Sequence, residues 1–297
     1  MRKIFCLIFI LMLCAGCGDE NQPEIETPPV IENTNPTAEK IRDDMIQSDK
    51  IVIADENFSN LQLSEVDKPV YDIYGVFDRQ EKHLKTTLPD LKPYEEQNVV
   101  YLTFDDGPDD KITPQILDVL KQEEVKATFF VLGVNVEQYP DVLIRIFNEG
   151  HAIGNHSYNH VYKELYKSPW SFVEQMIKTD EIIASYIGVR PLIIRAPGGV
   201  VGNFNADYWE MIRAVGYAEY DWNSATQDAT AQSPNASMQV NNVIEQLGST
   251  PPKFVILLMH SKDGKEETVK ALPELIHMFK DWGYKFGVIT PMTPQPW

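Results

Sequence analysis

The sequence predicts an α/β fold from two observations. From Asn98 onward, short β-branched or aromatic runs alternate with longer stretches of helical period, and polar residues recur where the short runs end. Strands and helices that alternate in this way suggest either a (β/α) barrel or a doubly wound sheet. The seven predicted strands are residues 99–104, 126–132, 152–155, 192–195, 217–222, 254–259 and 286–290.

Several helices between these strands have recognisable ends. A hydroxyl or amide side chain caps the first turn of a helix, proline fits that turn, and glycine adopts the left-handed conformation that follows the last turn. The predicted helix starts are Thr113-Pro114, Ser168-Pro169 and Asn205, and the predicted helix ends precede Gly150 and Gly188.

The composition favours a folded, acidic protein without thiol chemistry. Of the 297 residues, 43% are apolar and 24% are charged, which is enough to bury a sizeable core. The 44 acidic and 26 basic residues give a net charge of −18, which repels phosphate backbones, so we expect no nucleic-acid partner. All three cysteines lie within the first 17 residues, so the chemistry of the remaining chain must use oxygen and nitrogen groups.

The N-terminus has the pattern of an export signal. Two basic residues precede an apolar run over residues 4–14 that is too short for a permanent membrane span. The run ends at Cys17 in a sequence that resembles the bacterial lipobox, with Cys14 in place of the usual leucine. We therefore expect residues 1–16 to be a lipoprotein signal peptide and Cys17 to carry lipid on the outer face of the bacterial cytoplasmic membrane. The alternative is an ordinary cleaved signal peptide.

Composition divides the rest of the chain into three segments. Residues 17–50 are acidic, contain proline and have few large apolar groups, so we expect an extended, disordered linker. Residues 51–96 contain short apolar runs without a clear period and are interpreted as a strand-and-loop extension packed on the barrel. Residues 97–297 carry the alternating pattern and form the predicted catalytic domain.

Candidate functional residues gather at the ends of the predicted strands. Because the carboxyl ends of parallel strands meet at one edge of a sheet or one mouth of a barrel, we expect these residues to converge on one site. They are Asp105 and Asp106 after the first strand, His156 and His160 after the third, Arg195 at the end of the fourth, Asp228 beyond the fifth and His260 after the sixth.

Three of these residues form a candidate metal site. His156 and His160 are four residues apart, a spacing that lets both imidazoles face one ion, although such a pair alone is more often two surface histidines. With Asp106, they make a two-histidine, one-carboxylate set that leaves positions open for water and substrate. We expect a divalent metal, with zinc favoured and cobalt, manganese, nickel and iron as alternatives.

The remaining residues supply the other parts of a hydrolytic site. Asp105 is placed to accept a proton from water and His260 to donate one to a leaving group. A backbone amide near Gly198 and the metal would stabilise an oxyanion. Arg195 would orient Asp105, and Asp228 would keep His260 protonated. The sequence has no serine-nucleophile motif, phosphate loop or dinucleotide fingerprint, so metal-assisted hydrolysis fits these residues best.

The order of these motifs resembles the polysaccharide deacetylase family (NodB-like, carbohydrate esterase family 4). The matching segments are TFDDG (103–107), HSYNH (156–160), RAPGG (195–199), DWNSATQDA (221–229) and LLMH (257–260). The resemblance implies a distorted (β/α) barrel with about seven parallel strands and a metal on Asp106, His156 and His160. It also implies Asp105 as base, assisted by Arg195, and His260 as acid, assisted by Asp228.

The sequence departs from the family pattern at three places. Gly198 stands where many members have an aromatic residue, so an aromatic wall of the groove would be lost. Trp222 precedes Asp228 by six residues, whereas the family often has aspartate followed directly by tryptophan. We place Trp222 near the groove as a candidate substrate contact. Ser261 replaces the acid that commonly follows the last histidine.

The family resemblance and the export signal together favour a cell-wall enzyme. We expect removal of N-acetyl groups from an amino-sugar polymer, most consistent with peptidoglycan and with the N-acetylglucosamine and N-acetylmuramic acid deacetylases that act on it. Chitooligosaccharides, exported polysaccharide and O-acetyl xylan are alternative substrates. A glycan-binding lipoprotein without catalysis is the alternative of another class. We expect a monomer whose partners are the glycan and, through the lipid anchor, the membrane.

Overall fold

The computed structural model describes residues 36–63, 65–250 and 252–296. The predicted signal peptide, Cys17 and most of the predicted linker therefore lie outside the described residues. The helices are α1 (Pro36–Gln47), α2 (Val76–Glu81), α3 (Ile112–Gln122), α4 (Gly133–Gln138), α5 (Pro140–Asn148), α6 (Tyr162–Leu165), α7 (Pro169–Ile187), α8 (Ala206–Ala214), α9 (Ala236–Leu247) and α10 (Glu266–Asp281). The strands are β1 (Val52–Ile53), β2 (Val70–Asp72), β3 (Val99–Asp105), β4 (Thr128–Val131), β5 (Ala152–Asn155), β6 (Arg190–Pro191), β7 (Ile193–Ile194), β8 (Ala218–Glu219), β9 (Ser224–Ala225), β10 (Phe254–His260) and β11 (Lys285–Gly287).

The larger sheet is a barrel with one seam. Its seven main strands lie in the order β8-β7-β5-β4-β3-β10-β9, and β11 pairs with the first half of β3. Every pairing in this sheet is parallel. The two unpaired edges, β8 and β9, are consecutive in the chain and are joined by residues 220–223 only. The predicted distorted (β/α) barrel is confirmed, and β9 is a short strand that the sequence pattern did not predict.

The alternation of side chains along β3 points one carboxylate into the barrel. All seven residues of β3 are buried. Val100, Leu102 and Phe104 belong to the core between sheet and helices, whereas Val99 and Tyr101 belong to the barrel interior. Because side chains alternate between the faces of a strand, Asp105 continues the interior series at the carboxyl end of β3.

The predicted helix ends are largely confirmed. The Ser168 hydroxyl accepts a hydrogen bond from the Ser171 amide at the start of α7, and Gly188 ends that helix with φ of +72°. Asn205 caps α8 by accepting from two backbone amides. The helix α3 begins at Ile112, two residues before the predicted Pro114, and the Asp109 carboxylate accepts from the amides of residues 112 and 113 at this end.

The prediction of a disordered linker that extends to residue 50 is wrong for residues 36–47. These residues form α1, which packs against α7 and buries Ala38 and Met45. A Cβ on Gly188 would lie 2.8 Å from the Ala38 carbonyl oxygen, so the two backbones approach closely. The segment has too few apolar residues for a helix to be expected from its own pattern, and the contact with α7 supplies the missing burial.

Residues 51–96 join the barrel through a small sheet and a buried ion network. The strand β2 pairs with β1 and with β6, which follows α7. The Arg79 guanidinium donates to both carboxylate oxygens of Asp72, at 2.6 and 3.1 Å. Arg190 bridges Asp72 and Asp180, and Asp180 accepts from Asn155 at the end of β5. The extension is thus connected to the strand that leads into the candidate metal site.

Among the described helices, none combines the length and the apolar composition that crossing a bilayer requires.

Candidate active site

The two adjacent aspartates face the same site because of a turn in the backbone. Asp105 points into the barrel, so the next side chain of a regular strand would point away from it. Asp106 instead has φ of +70°, in the left-handed region, and its carboxylate lies beside two histidines. The side-chain amide of Asn135 donates to the Asp106 carbonyl at 2.7 Å and holds this turn.

Both histidines come from the loop that follows β5. The Nδ1 of His156 donates to the carbonyl of Arg195 at 2.9 Å, which leaves Nε2 facing the Asp106 carboxylate. His160 has φ of +59°, and its amide donates to the Ser157 hydroxyl at 3.2 Å. Burial, and the nearby His156, lower the pKa of His160, which favours the neutral imidazole that a metal requires.

Asp106, His156 and His160 form a cluster that could hold a metal ion. One ligand atom from each lies within 4.8 Å of the others. Asp106 Oδ1 is 3.6 Å from His156 Nε2 and 3.5 Å from His160 Nε2, and it is buried without a hydrogen-bond partner. A buried, unpaired carboxylate oxygen aimed at two imidazoles fits a divalent cation, because a cation would satisfy all three atoms.

Lys262 is a neighbour of this cluster that the sequence analysis missed. Its Nζ donates to Asp106 Oδ2 at 2.6 Å, while Oδ1 faces the histidines. Burial alone would raise the pKa of Asp106, but His156 and Lys262 hold it at about 2. Asp106 is therefore ionised across the physiological range. The only sequence signal for Lys262 is its position two residues after His260.

Asp105 is held by the fully buried Arg195. The guanidinium donates to Asp105 Oδ1 at 2.8 Å, to the Thr103 hydroxyl at 2.7 Å and to the Tyr220 carbonyl at 2.8 Å. The other carboxylate oxygen, Oδ2, is 3.7 Å from His156 Nε2 and so borders the metal cluster. The predicted contact between Arg195 and Asp105 is present, and it leaves one oxygen of Asp105 facing the site.

His260 and Asp228 lie on the opposite side of the cluster from β5. His260 Nδ1 donates to Asp228 Oδ1 at 2.8 Å, and the Thr268 hydroxyl donates to Oδ2 at 2.9 Å. Burial would lower the pKa of His260, but the hydrogen bond and charge of Asp228 raise it above its ordinary value. The same contact keeps the pKa of Asp228 low despite its burial. The six-residue separation from Trp222 therefore does not prevent Asp228 from reaching His260.

Gly198 is the exposed tip of the loop after β7. It has φ of +75°, and the neighbouring Gly199 amide donates to the Ala196 carbonyl at 2.8 Å to close the turn. Glu219 and Asp221 hold the two ends of this turn: Glu219 accepts from the Ala196 amide at 3.3 Å and Asp221 from the Val200 amide at 3.0 Å.

The sequence analysis missed Glu219 and Asp221, whose signal was two acidic residues inside the apolar run 217–222. Burial raises the pKa of both carboxyl groups, and the charge of Asp221 adds to the rise at Glu219. The turn that contains Gly198 is therefore held by the buried carboxyl groups of Glu219 and Asp221.

Trp222 lies at the seam of the barrel, between β8 and β9. It is half-buried, packs against the barrel interior, and its ring centre is 5.7 Å from the central carbon of the Arg195 guanidinium. A Cβ built on Gly199 would lie 3.3 Å from Trp222 Cη2, so the indole borders the Gly198 turn as well as Arg195. Ser261 is buried, and its amide donates to the Asp105 carbonyl at 3.0 Å, which continues the pairing of β10 with β3.

The comparisons with known proteins agree with this geometry. Residues 92–220 match the family model described as polysaccharide deacetylase. A peptidoglycan-N-acetylglucosamine deacetylase of Bacillus cereus is 40% identical over 212 residues, which cover 67% of this chain and 70% of that protein.

Two solved structures share the fold. A carbohydrate esterase family 4 esterase of Streptococcus mutans has a TM-score of 0.62 at 33% identity and covers 65% of this chain and 87% of its own. The catalytic domain of a peptidoglycan N-acetylglucosamine deacetylase from Eubacterium rectale has a TM-score of 0.61 at 30% identity and covers 69% and 94%, respectively. With the aspartate pair, the two histidines and the Asp228–His260 contact in place, these matches show that the chain belongs to the polysaccharide deacetylase family of hydrolases.

Proposed function

We propose that this protein is a metal-dependent deacetylase that hydrolyses the N-acetyl groups of peptidoglycan amino sugars. The observation that carries the proposal is a metal-binding cluster flanked by two groups suited to opposite proton transfers. Asp105 is a carboxylate held by Arg195, and His260 is an imidazole whose pKa Asp228 raises. Similarity to a peptidoglycan deacetylase over two thirds of the chain supports the substrate class.

Asp106, His156 and His160 would hold the ion, and zinc suits this donor set best, with cobalt, manganese, nickel and iron as alternatives. When bound, the ion would polarise the acetyl carbonyl and acidify a water molecule. The protein contributes the fixed orientation of the ligands. The His156 ring is held by the Arg195 carbonyl, and Asp106 by its left-handed turn and by Lys262.

The two proton transfers are assigned to Asp105 and His260. Asp105 Oδ2 accepts a proton from the attacking water while Arg195 keeps Oδ1 occupied. The water oxygen forms a bond to the acetyl carbon, the bond from that carbon to the amide nitrogen breaks, and protonated His260 gives its Nε2 proton to that nitrogen. Acetic acid and a free amine leave. The acid loses its proton to water, and the proton on Asp105 returns to His260 through solvent. The backbone amide at the exposed Gly198 turn is the proposed donor to the oxyanion.

Acetate release from defined substrates tests this proposal. We expect the purified protein to release acetate from peptidoglycan fragments, to lose this activity after chelation and to regain it with zinc. Asp105→Asn, loaded with metal, is the matched control and should release almost none. The disaccharide unit that loses its acetyl group, read by mass spectrometry, separates N-acetylglucosamine from N-acetylmuramic acid as the target.

Other substrates give the outcomes that would overturn the proposal. Release of acetate from chitooligosaccharides or acetyl xylan but not from peptidoglycan would assign another polymer. Binding of glycan without acetate release from any of these substrates would instead favour a glycan-binding lipoprotein.

The proposed location is the outer face of the bacterial cytoplasmic membrane, with the anchor on Cys17. The proposal is supported by the basic start, the short apolar run and the cysteine that follows small residues. We expect Cys17→Ser to move the protein from membrane to soluble fractions with its activity on soluble fragments unchanged. Persistent membrane association of Cys17→Ser would identify the uncleaved apolar run as the anchor.

A further inference from the structure

We propose that Tyr162 is a substrate-positioning residue whose exposed ring stacks against the pyranose ring that carries the reacting acetamide. The inference rests on the proposed function, because it requires an amino-sugar substrate. It adds a specificity-determining side chain that belongs to none of the motifs discussed above. It also identifies the side of the site along which the glycan lies.

Tyr162 is an exposed aromatic residue at the edge of the metal cluster. It begins α6, two residues after His160, and the two ring centres are 5.4 Å apart at an interplanar angle of 70°. The residue is 46% exposed, whereas Tyr101 and Tyr220 in the barrel are buried. An aromatic ring exposed beside a catalytic cluster, rather than at a random surface position, indicates a ligand contact.

The Tyr162 ring packs against other aromatic side chains on its buried side. Tyr166 lies one helical turn later, with its ring centre 5.8 Å from that of Tyr162, and it stacks on the buried Phe172 at 5.9 Å. The Tyr166 hydroxyl donates to the Pro197 carbonyl at 2.7 Å. The rings of Phe172, Tyr166 and Tyr162 thus form a row from the core to the edge of the metal cluster. Because this packing already restricts Tyr162, fixing its ring on substrate binding would cost little conformational entropy.

The hydroxyl of Tyr162 occupies the space above Gly198. A Cβ built on Gly198 would lie 2.3 Å from Tyr162 Oη and 3.1 Å from Cε1 and Cζ of the same ring. Tyr162 therefore fills the position into which a side chain at residue 198 would project. Many family members have an aromatic side chain at the position of Gly198. In this protein Tyr162, which lies on α6 and 36 residues earlier in the chain, places an aromatic ring there instead.

The surface around Tyr162 suits the face of a sugar ring. Val161, next to Tyr162 in the chain, is 41% exposed. A pyranose ring presents C–H groups on its faces and hydroxyl groups at its rim, so an apolar surface with one phenolic hydroxyl matches it.

Steady-state kinetics on a soluble peptidoglycan fragment test the proposal. We expect Tyr162→Ala to raise KM about tenfold, the effect of one lost aromatic contact, with kcat within about threefold of the original and metal content unchanged. Tyr162→Phe keeps the ring and should keep KM within about threefold. A purely structural role for the ring would instead lower the metal content or kcat and leave KM unchanged.

Trp282→Ala is the matched control. Trp282 is an exposed aromatic residue that packs on Phe279 at the end of α10, on the side of the barrel where the strands begin. Its removal should leave KM and kcat unchanged. An unchanged KM in Tyr162→Ala, or a KM raised equally in Trp282→Ala, would overturn the proposal.

A binding measurement separates this inference from the proposed function. Calorimetry with Asp105→Asn protein, which should bind glycan without turnover, should give a Kd about tenfold lower than the double variant Asp105→Asn/Tyr162→Ala. Equal affinities would overturn the role of Tyr162 while acetate release by the unmodified protein still supported the deacetylase. Absence of acetate release from every amino-sugar polymer would overturn both.

Discussion

Asp228 accepts two hydrogen bonds from His260, one from ring Nδ1 at 2.8 Å and one from the backbone amide at 2.9 Å. The two residues are 32 positions apart, yet the carboxylate holds both the ring and the backbone that carries it. Because Nδ1 is occupied, Nε2 is the nitrogen left to exchange a proton with substrate. The contact with Asp228 therefore sets both the orientation of the His260 ring and the pKa of His260.

The pH profile of Asp228→Asn tests this relationship. In the folded protein, Asp228 raises the pKa of His260 by stabilising its charged form. A general acid works only while protonated, so activity falls as pH rises through that pKa. Without the carboxylate, the pKa of His260 should fall, and the alkaline limb of kcat/KM should move to lower pH. A limb that stays in place in Asp228→Asn would show that another group is the acid.

The adjacent aspartates should respond differently to the same change. Asp105→Asn should keep its metal and lose about 100- to 10,000-fold in kcat, because the base is removed while all three proposed ligands remain. Asp106→Asn should lose metal, because the buried Oδ1 that faces both histidines is no longer part of a charged carboxylate. Metal analysis of both proteins, with His156→Ala as the reference for a lost ligand, measures the difference. Equal metal loss in the two aspartate variants would contradict the division of roles.

The turn at Gly198 should be coupled to Tyr162. Gly198→Ala places a methyl group 2.3 Å from the Tyr162 hydroxyl and also forces a φ of +75° on a residue with a side chain. We expect it to lower kcat/KM. In a Tyr162→Ala background the further loss should be smaller, because only the backbone penalty remains. The four proteins of this double-mutant cycle measure the coupling, and strict additivity would contradict the contact.

The buried ion network should contribute strongly to stability. Arg79→Met removes both hydrogen bonds to Asp72 and the hydrogen bonds that Arg79 donates to the carbonyl groups of Asp55, Glu56 and Lys85. Breaking a buried pair of this kind costs about 3–5 kcal/mol in the free energy of unfolding. Lys40→Ala, which breaks the exposed pair of Lys40 with Asp44, is the control and should change the urea midpoint little. A similar midpoint for both variants would contradict the role of the network.

The strands and most helix ends were predictable because their signals are local. The β-branched and aromatic runs at residues 99–104 and 254–259 become β3 and β10, and Ser168 and Asn205 cap the helices that they precede. The helix at residues 36–47 was not predictable, since it is stabilised by contact with α7 rather than by its own pattern. The strand β9 (Ser224–Ala225) has no β-branched or aromatic residue to mark it, whereas the equally short β7 and β8 lie inside apolar runs.

The sequence by itself determined which chemical groups end each strand: two carboxylates after β3, two imidazoles after β5, a guanidinium after β7 and an imidazole at the end of β10. That information is local, because it depends only on residue type and on strand alternation. The tertiary structure decided which of these groups touch. Arg195 reaches Asp105 across 90 positions, and Tyr162 covers Gly198 across 36. Such contacts follow from the curvature of the sheet and the packing of loops at the carboxyl ends of its strands, which bring together residues that are far apart in the chain.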